Sequence, residues 1–128
     1  MDKVKLVSST RIYLDARRLL DEVLDITVDF PRSYKFSVGS RLQTNCIDLM
    51  ELIAEAYTTR DREKRINALC LFQSKFQTVK TLIRIAGERE WIKGKGRHAH
   101  IVELMDALGR QSSAWKNSLC KAKAPDSE

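Results

Sequence analysis

Residues 62–91 read REKRINALCLFQSKFQTVKTLIRIAGEREW, a stretch in which apolar residues recur every three or four positions. This spacing places apolar side chains on one face of an α-helix and leaves polar side chains on the other. The stretch therefore predicts an amphipathic helix over 62–91. Its predicted apolar face consists of Ile66, Leu69, Cys70, Phe72, Phe76, Val79, Leu82, Ile83 and Ala86.

The same periodicity occurs three more times along the chain and predicts helices over 9–29, 33–57 and 97–121. The first predicted face consists of Ile12, Ala16, Leu19, Leu20, Val23, Leu24 and Ile26. The second consists of Phe36, Val38, Leu42, Cys46, Leu49, Met50, Ile53, Ala54 and Tyr57. The fourth consists of Ile101, Leu104, Met105, Leu108, Ser112, Trp115 and Leu119.

Short connections separate the four predicted helices. Phe30-Pro31 ends the first because proline disfavours helical geometry at the preceding residue. Gly39 lies within the second helix, where we expect another helix to approach so closely that a Cβ would clash. Four long helices with short loops favour antiparallel neighbours. The sequence predicts an all-α fold, an antiparallel up-down-up-down four-helix bundle over 1–121, with a flexible tail over 122–128.

Positive charge is concentrated in the second half of the chain. The protein has 128 residues and a formal net charge of +6, and residues 60–124 carry 15 Lys and Arg against 6 Asp and Glu. Residues 1–59 carry 8 against 9. A basic helical surface favours binding to polyanions, above all nucleic acid. The alternative is that the excess charge only keeps the protein in solution.

The third helix carries a polar stripe beside its apolar face, formed by Gln73, Gln77, Lys80 and Arg84. Neither cation has an Asp or Glu three or four residues before it, so both are candidates for contacting phosphates. A second candidate group is Lys93, Lys95 and Arg97, around a glycine loop whose backbone can approach a phosphate.

Catalytic and metal-binding patterns are not recognisable in this sequence. His98 and His100 are two residues apart, whereas metal-binding pairs on helices use positions four apart. We therefore expect no enzyme, no metal and no cofactor. Cys46 and Cys70 fall at apolar positions, where a thiol behaves as a small hydrophobe. With no secretory signal and no apolar run near ~20 residues, we expect a cytoplasmic protein with no membrane partner.

Four segments carry a resemblance to a known family, the accessory variability determinant proteins of diversity-generating retroelements. They are FPRSYKFSVGSRL at 30–42, DLMELIAEAY at 48–57, TLIRIAGE at 81–88 and MDALGRQSSAW at 105–115. The similarity extends over roughly residues 10–117. A more distant resemblance is to the four-helix proteins encoded in ribosomal RNA intervening sequences, whose typical proline-containing segment is absent here.

The resemblance implies a four-helix bundle that assembles into a homopentamer. It also implies a basic surface that binds nucleic acid (RNA or an RNA–DNA hybrid) and the retroelement reverse transcriptase, in support of mutagenic retrohoming. Lys80 and Arg84 match two basic family positions. The pairs Gly39 with Arg41 and Gly109 with Arg110 match the family's glycine-arginine pairings, whereas Ala107, Ser112 and Ser113 depart from its pattern.

Two other functions compete with this interpretation. One is a scaffold that binds only protein, its basic face matching an acidic partner, and the other is a ribosomal-RNA-associated four-helix protein. Nuclease treatment in a pull-down distinguishes a protein-only scaffold from a nucleic-acid-binding subunit.

Overall fold

A computed structural model describes residues 7–121, and the prediction of an all-helical chain is confirmed because this part contains no strand. A helical turn and a π-helical turn, Arg32–Tyr34 and Lys35–Gly39, precede the second long helix. The predicted tail over 122–128 lies outside the described residues. The four long helices are α1 (Arg11–Thr27), α2 (Ser40–Thr58), α3 (Arg62–Glu88) and α4 (Arg97–Lys121).

Side-chain caps define where α1 and α3 begin. The Thr10 hydroxyl accepts a hydrogen bond from the backbone N–H of Tyr13 at 3.4 Å. The Asp61 carboxylate accepts one from the backbone N–H of Glu63 at 3.0 Å. Each cap satisfies a backbone donor that has no partner within its helix. Consequently α1 begins two residues later than predicted, and α3 begins at the predicted residue.

Each long helix packs against two others: α1 against α2 and α4, and α3 against α2 and α4. Polar contacts link the helices as well. Gln43 donates to the Thr27 hydroxyl at 2.8 Å, and the Arg62 guanidinium donates to the Leu119 carbonyl at 3.0 Å. Gln111 of α4 donates to the buried Asp15 carboxylate of α1 at 2.8 Å. These contacts fix the helices in register with one another.

The core contains most of the predicted apolar positions, with Phe72 of α3 fully buried in it. Cys46 is also in the core, and burial raises the pKa of its thiol to about 12. The thiol therefore stays protonated and acts as a small apolar group. Three assignments to the apolar faces were wrong. Two of them, Leu24 and Cys70, are exposed because each lies at the margin of its helix's apolar stripe.

The start of the predicted second helix differs most from expectation. Phe36 was assigned to the apolar face, but 79% of it is exposed. It lies in the π-helical turn Lys35–Gly39, whose wider winding breaks the register with the α-helix that follows. The expected clash at Gly39 is also wrong, since an added Cβ meets Phe30 and Thr27 at 3.6 Å, an ordinary contact distance. The close approach occurs at Gly87, where an added Cβ overlaps the His98 ring.

The third helix ends at Glu88, three residues before the predicted end. The N–H of Trp91 donates to the Ala86 carbonyl at 2.9 Å, and that of Glu90 donates to the Gly87 carbonyl at 3.0 Å. These two bonds form a Schellman motif, which requires a left-handed residue after the helix. Glu90 supplies it with a φ of 62°. The motif turns Trp91 back into the core beside Phe30.

Replacing Glu90 with glycine is expected to stabilise the protein. A residue with a side chain at this φ costs about 1 kcal/mol or more, and glycine removes that cost. We expect Glu90→Gly to raise the free energy of unfolding by about 1 kcal/mol in urea denaturation. The matched control is Glu88→Gly, which removes the same charge but weakens the last turn of α3. If Glu90→Gly gives no increase, the left-handed geometry is wrong.

Candidate nucleic-acid interface

A surface groove of about 250 Å³ lies between α3 and α4. Small residues of α4 leave the space, since Gly109 has no side chain and the Ser112 hydroxyl turns inward to the Gly109 carbonyl at 3.2 Å. The α3 side of this α3–α4 groove carries the predicted polar stripe as far as Lys80. The lining consists of Gln73, Phe76, Gln77, Lys80, Gly109, Ser112 and Ser113.

Lys80 is held at the groove by the aromatic ring beneath it. Its ammonium lies 5.0 Å from the centre of the Phe76 ring, which is itself buried in the core. A cation over a ring face is stabilised electrostatically, and the lysine stem covers apolar surface while its charge stays in solvent. Lys80 is half-buried as a result. Its charge is therefore presented from a defined position.

Arg84 is exposed one helical turn after Lys80, on the same side of α3. Within residues 7–121, neither Lys80 nor Arg84 has a carboxylate oxygen within 4.0 Å. The nearest acidic residue along the helix is Glu88, and it forms no ion pair with Arg84. The two charges are thus available to an external anion.

Lys116 of α4 adds a third cation beside the same groove, and the sequence reasoning missed it. Its ammonium donates to the Gln73 side-chain oxygen at 3.4 Å. It also lies seven residues after Gly109, so it projects from the same side of α4. Lys80, Arg84 and Lys116 together are here named the cation row. Only the pairing of α3 with α4 reveals it, because Gln73 and Lys116 are 43 residues apart.

Arg110 lies beside the cation row, whereas Arg41 lies on α2, away from the α3–α4 groove. Arg110 is exposed on α4 next to Gly109, and Asp106 precedes it by one helical turn. Arg41 is exposed in the first turn of α2. Two turns later, Asp48 binds Lys75 of α3 at 2.9 Å. Arg41 therefore lies on the side of α2 that faces α3.

The three cations around the glycine loop at 94–96, which are Lys93, Lys95 and Arg97, lie in two different environments. Lys93 and Lys95 are exposed, and the turn that carries them uses Gly94 at a φ of 103°. Arg97 is instead half-buried, and its guanidinium contacts Glu22 at 3.2 Å and Asp25 at 3.5 Å. These carboxylates belong to α1. Arg97 therefore links α4 to α1 by ion pairs, and these two carboxylates neutralise much of its positive charge.

Residues 7–121 contain no group of three or more His, Cys, Asp or Glu side chains placed to hold a metal ion. None of the helices in this range has the length and apolar character needed to cross a membrane.

No curated protein matches the chain. A family model described as bAvd-like matches residues 6–119, which include all four helices apart from the last two residues of α4. The resemblance to the accessory variability determinant proteins is thereby confirmed. The chain belongs to the bAvd-like family.

Proposed function

We propose that this protein is a non-enzymatic accessory subunit of a diversity-generating retroelement. In this role it binds nucleic acid, RNA or an RNA–DNA hybrid, through the cation row, and it docks the element's reverse transcriptase to support mutagenic retrohoming. The observation that carries the proposal is that Lys80 and Arg84 project their charges into solvent beside the α3–α4 groove without a carboxylate partner among residues 7–121. Such charges gain most from phosphate, because each contact releases a condensed counterion.

The proposed arrangement of the helices is the antiparallel up-down-up-down bundle. Gln43 near the start of α2 contacts Thr27 at the end of α1, and Arg62 at the start of α3 contacts Leu119 near the end of α4. These contacts support an arrangement in which consecutive helices run in opposite directions. In this arrangement the Lys93–Lys95 loop lies at the same end of the bundle as Arg41, and both extend the basic surface beyond the cation row.

We also propose that the protein acts as a homo-oligomer, a pentamer as its family implies, in the cytoplasm where the reverse transcriptase works. An apolar groove between α1 and α2 supports subunit contact, since Tyr13, Leu20, Ile47 and Met50 line it. The outward face of α3, which shares Gln73 and Gln77 with the α3–α4 groove, offers a surface for the reverse transcriptase. Its lining is uncharged and consists of Gln73, Ser74, Gln77, Thr78 and Thr81.

The salt dependence of binding tests the proposed function. Three phosphate contacts per subunit predict that affinity for an RNA–DNA hybrid falls roughly 40-fold between about 50 and 200 mM salt. Fluorescence anisotropy with a labelled hybrid measures this fall. An affinity that does not change over this range, or no binding at about 50 mM, contradicts the proposal and favours a scaffold that binds only protein. A reverse transcriptase pull-down that survives nuclease treatment identifies that alternative.

A further inference from the structure

We propose that a pocket between α1, α2 and α4 binds a nucleotide whose base carries an amino group at its edge, such as adenine or cytosine. The volume of the pocket, about 340 Å³, falls within the range of small-molecule sites, roughly 300–1,000 Å³. This Trp115 pocket is lined by Arg11, Ile12, Tyr57, Gln111, Ala114 and Trp115. The inference does not rest on the proposed function, because none of these residues belongs to the cation row or lines the α3–α4 groove.

An aromatic pair forms one wall of the pocket. The ring of Trp115 on α4 lies against that of Tyr57 on α2, with the ring centres 4.4 Å apart. Both residues are half-buried, so this contact holds the indole in place while part of it remains accessible from the pocket. A fixed aromatic ring offers a planar ligand a surface for stacking, and every nucleobase has such a planar face.

A buried carboxylate supports the pocket from the side of α1. Asp15 is buried, and its carboxylate accepts hydrogen bonds from Arg18 at 3.0 Å and from Gln111 at 2.8 Å. Arg18 therefore already balances its negative charge, and the carboxylate gives a cationic ligand little reason to bind. The effect of Asp15 on the pocket is instead to hold the Gln111 side chain in one orientation.

The orientation of Gln111 determines which base edge fits. Its amide nitrogen donates to the Asp15 carboxylate at 2.8 Å and to the Ala107 carbonyl at 3.1 Å. Both partners can only accept, so the nitrogen must face them and the amide oxygen turns away from them. This oxygen accepts a hydrogen bond from an amino group. Adenine and cytosine present an amino donor at the base edge, whereas uracil, like thymine, presents a carbonyl oxygen there.

Arg11 supplies a positive charge at the rim of the pocket. Its side chain is 82% exposed, and its nearest contact with the Asp15 carboxylate is 3.8 Å, too long for a hydrogen bond. Because Arg18 and Gln111 already occupy that carboxylate, Arg11 keeps its guanidinium available to an external anion. A guanidinium binds phosphate through two parallel hydrogen bonds. The pocket thus combines an aromatic face, a hydrogen-bond acceptor and a cation, which match the base face, the base edge and the phosphate of a nucleotide.

The test is isothermal titration calorimetry of the full chain with AMP, adenosine, UMP and ribose 5-phosphate. We expect AMP to bind, adenosine to bind about tenfold more weakly because it lacks the phosphate, and UMP to bind about tenfold more weakly because it lacks the amino group. Arg11→Gln is expected to lower affinity for AMP to that for adenosine and to leave adenosine unchanged. Arg17→Gln is the matched control, since it removes the same charge from an exposed position of α1 outside the pocket.

Two further measurements test the stacking and identify the source of the nucleotide. Trp115→Leu is expected to weaken AMP and adenosine equally, about tenfold, because one stacking contact is lost. If the same variant also weakens a short oligoadenylate, the pocket accepts an unpaired nucleotide of a strand. If it weakens only AMP and adenosine, the occupant is a free nucleotide. Either result supports the pocket.

The remaining outcomes overturn the inference. They are no binding of AMP, equal affinities for AMP in Arg11→Gln and Arg17→Gln, or ribose 5-phosphate binding as tightly as AMP, which indicates a site for the anion alone. The Lys80→Gln/Arg84→Gln variant is expected to bind AMP as the wild type does. A failure of AMP binding therefore leaves the proposed function intact if the RNA–DNA hybrid still binds, and loss of hybrid binding leaves the Trp115 pocket intact if AMP still binds.

Discussion

Replacing Lys80 and Arg84 together with glutamine is expected to lower affinity for an RNA–DNA hybrid on the order of a hundredfold at about 50 mM salt. Two phosphate contacts per subunit are lost, so the slope of log affinity against log salt becomes shallower by about 2. Glutamine is preferred to alanine because its aliphatic stem continues to cover the Phe76 ring. The loss of affinity then reflects the removal of charge rather than a change in packing.

The control for this pair removes the same charge elsewhere. Arg17 and Arg60 are exposed, and they lie on α1 and on the α2–α3 connection, away from the α3–α4 groove. The Arg17→Gln/Arg60→Gln variant has the same net charge as the test variant. If both variants lose affinity equally, binding depends only on overall charge, and the cation row is not the site. Equal melting temperatures establish that both variants are folded.

Phe72→Ala is expected to have the largest effect on stability, a loss of about 3–5 kcal/mol in the free energy of unfolding. Phe72 is fully buried, and the centre of its ring lies 5.8 Å from that of Phe76, one helical turn later on the same face of α3. Truncation removes apolar burial and leaves a cavity that the surrounding helices fill only in part. Since small domains are stable by about 5–15 kcal/mol, this is a large fraction of the total.

The neighbouring residue provides the matched control for Phe72. Leu71 is 54% exposed on the same helix, so Leu71→Ala is expected to change stability by less than about 0.5 kcal/mol. Urea denaturation of both variants at one protein concentration measures the difference, since the stability of an oligomer depends on concentration. Should Phe72→Ala fail to fold, Phe72→Leu gives a smaller loss on the same scale. Equal losses for Phe72→Ala and Leu71→Ala contradict the described core.

Helical periodicity predicted the core of α3 well because burial there follows one regular stripe. Leu69, Phe72, Phe76 and Val79 are all buried as expected. The pattern was wrong at Phe36, because a π-helical turn changes the number of residues per turn and thus the direction of every side chain within it. A periodicity search assumes constant winding and does not detect such a turn.

The end of α3 and the third member of the cation row were missed for different reasons. Glycine is the usual signal for a left-handed residue after a helix, and Glu90 occupies that position here. Lys116 joins Lys80 and Arg84 only when α3 and α4 are paired, which no local pattern encodes. The sequence did single out Lys80 and Arg84 as candidates, because they lack acidic neighbours one turn earlier along the helix.

The contrast between the buried thiol of Cys46 and the exposed thiol of Cys70 makes chemical labelling selective. An alkylating reagent reaches Cys70 and Cys120, while Cys46 is enclosed and protonated. With Cys120→Ser, a fluorophore attaches to the native Cys70, one turn before Gln73 on α3. The protein thus provides its own attachment point for a dye beside the groove, and the arrival of a ligand becomes observable in real time without an engineered cysteine.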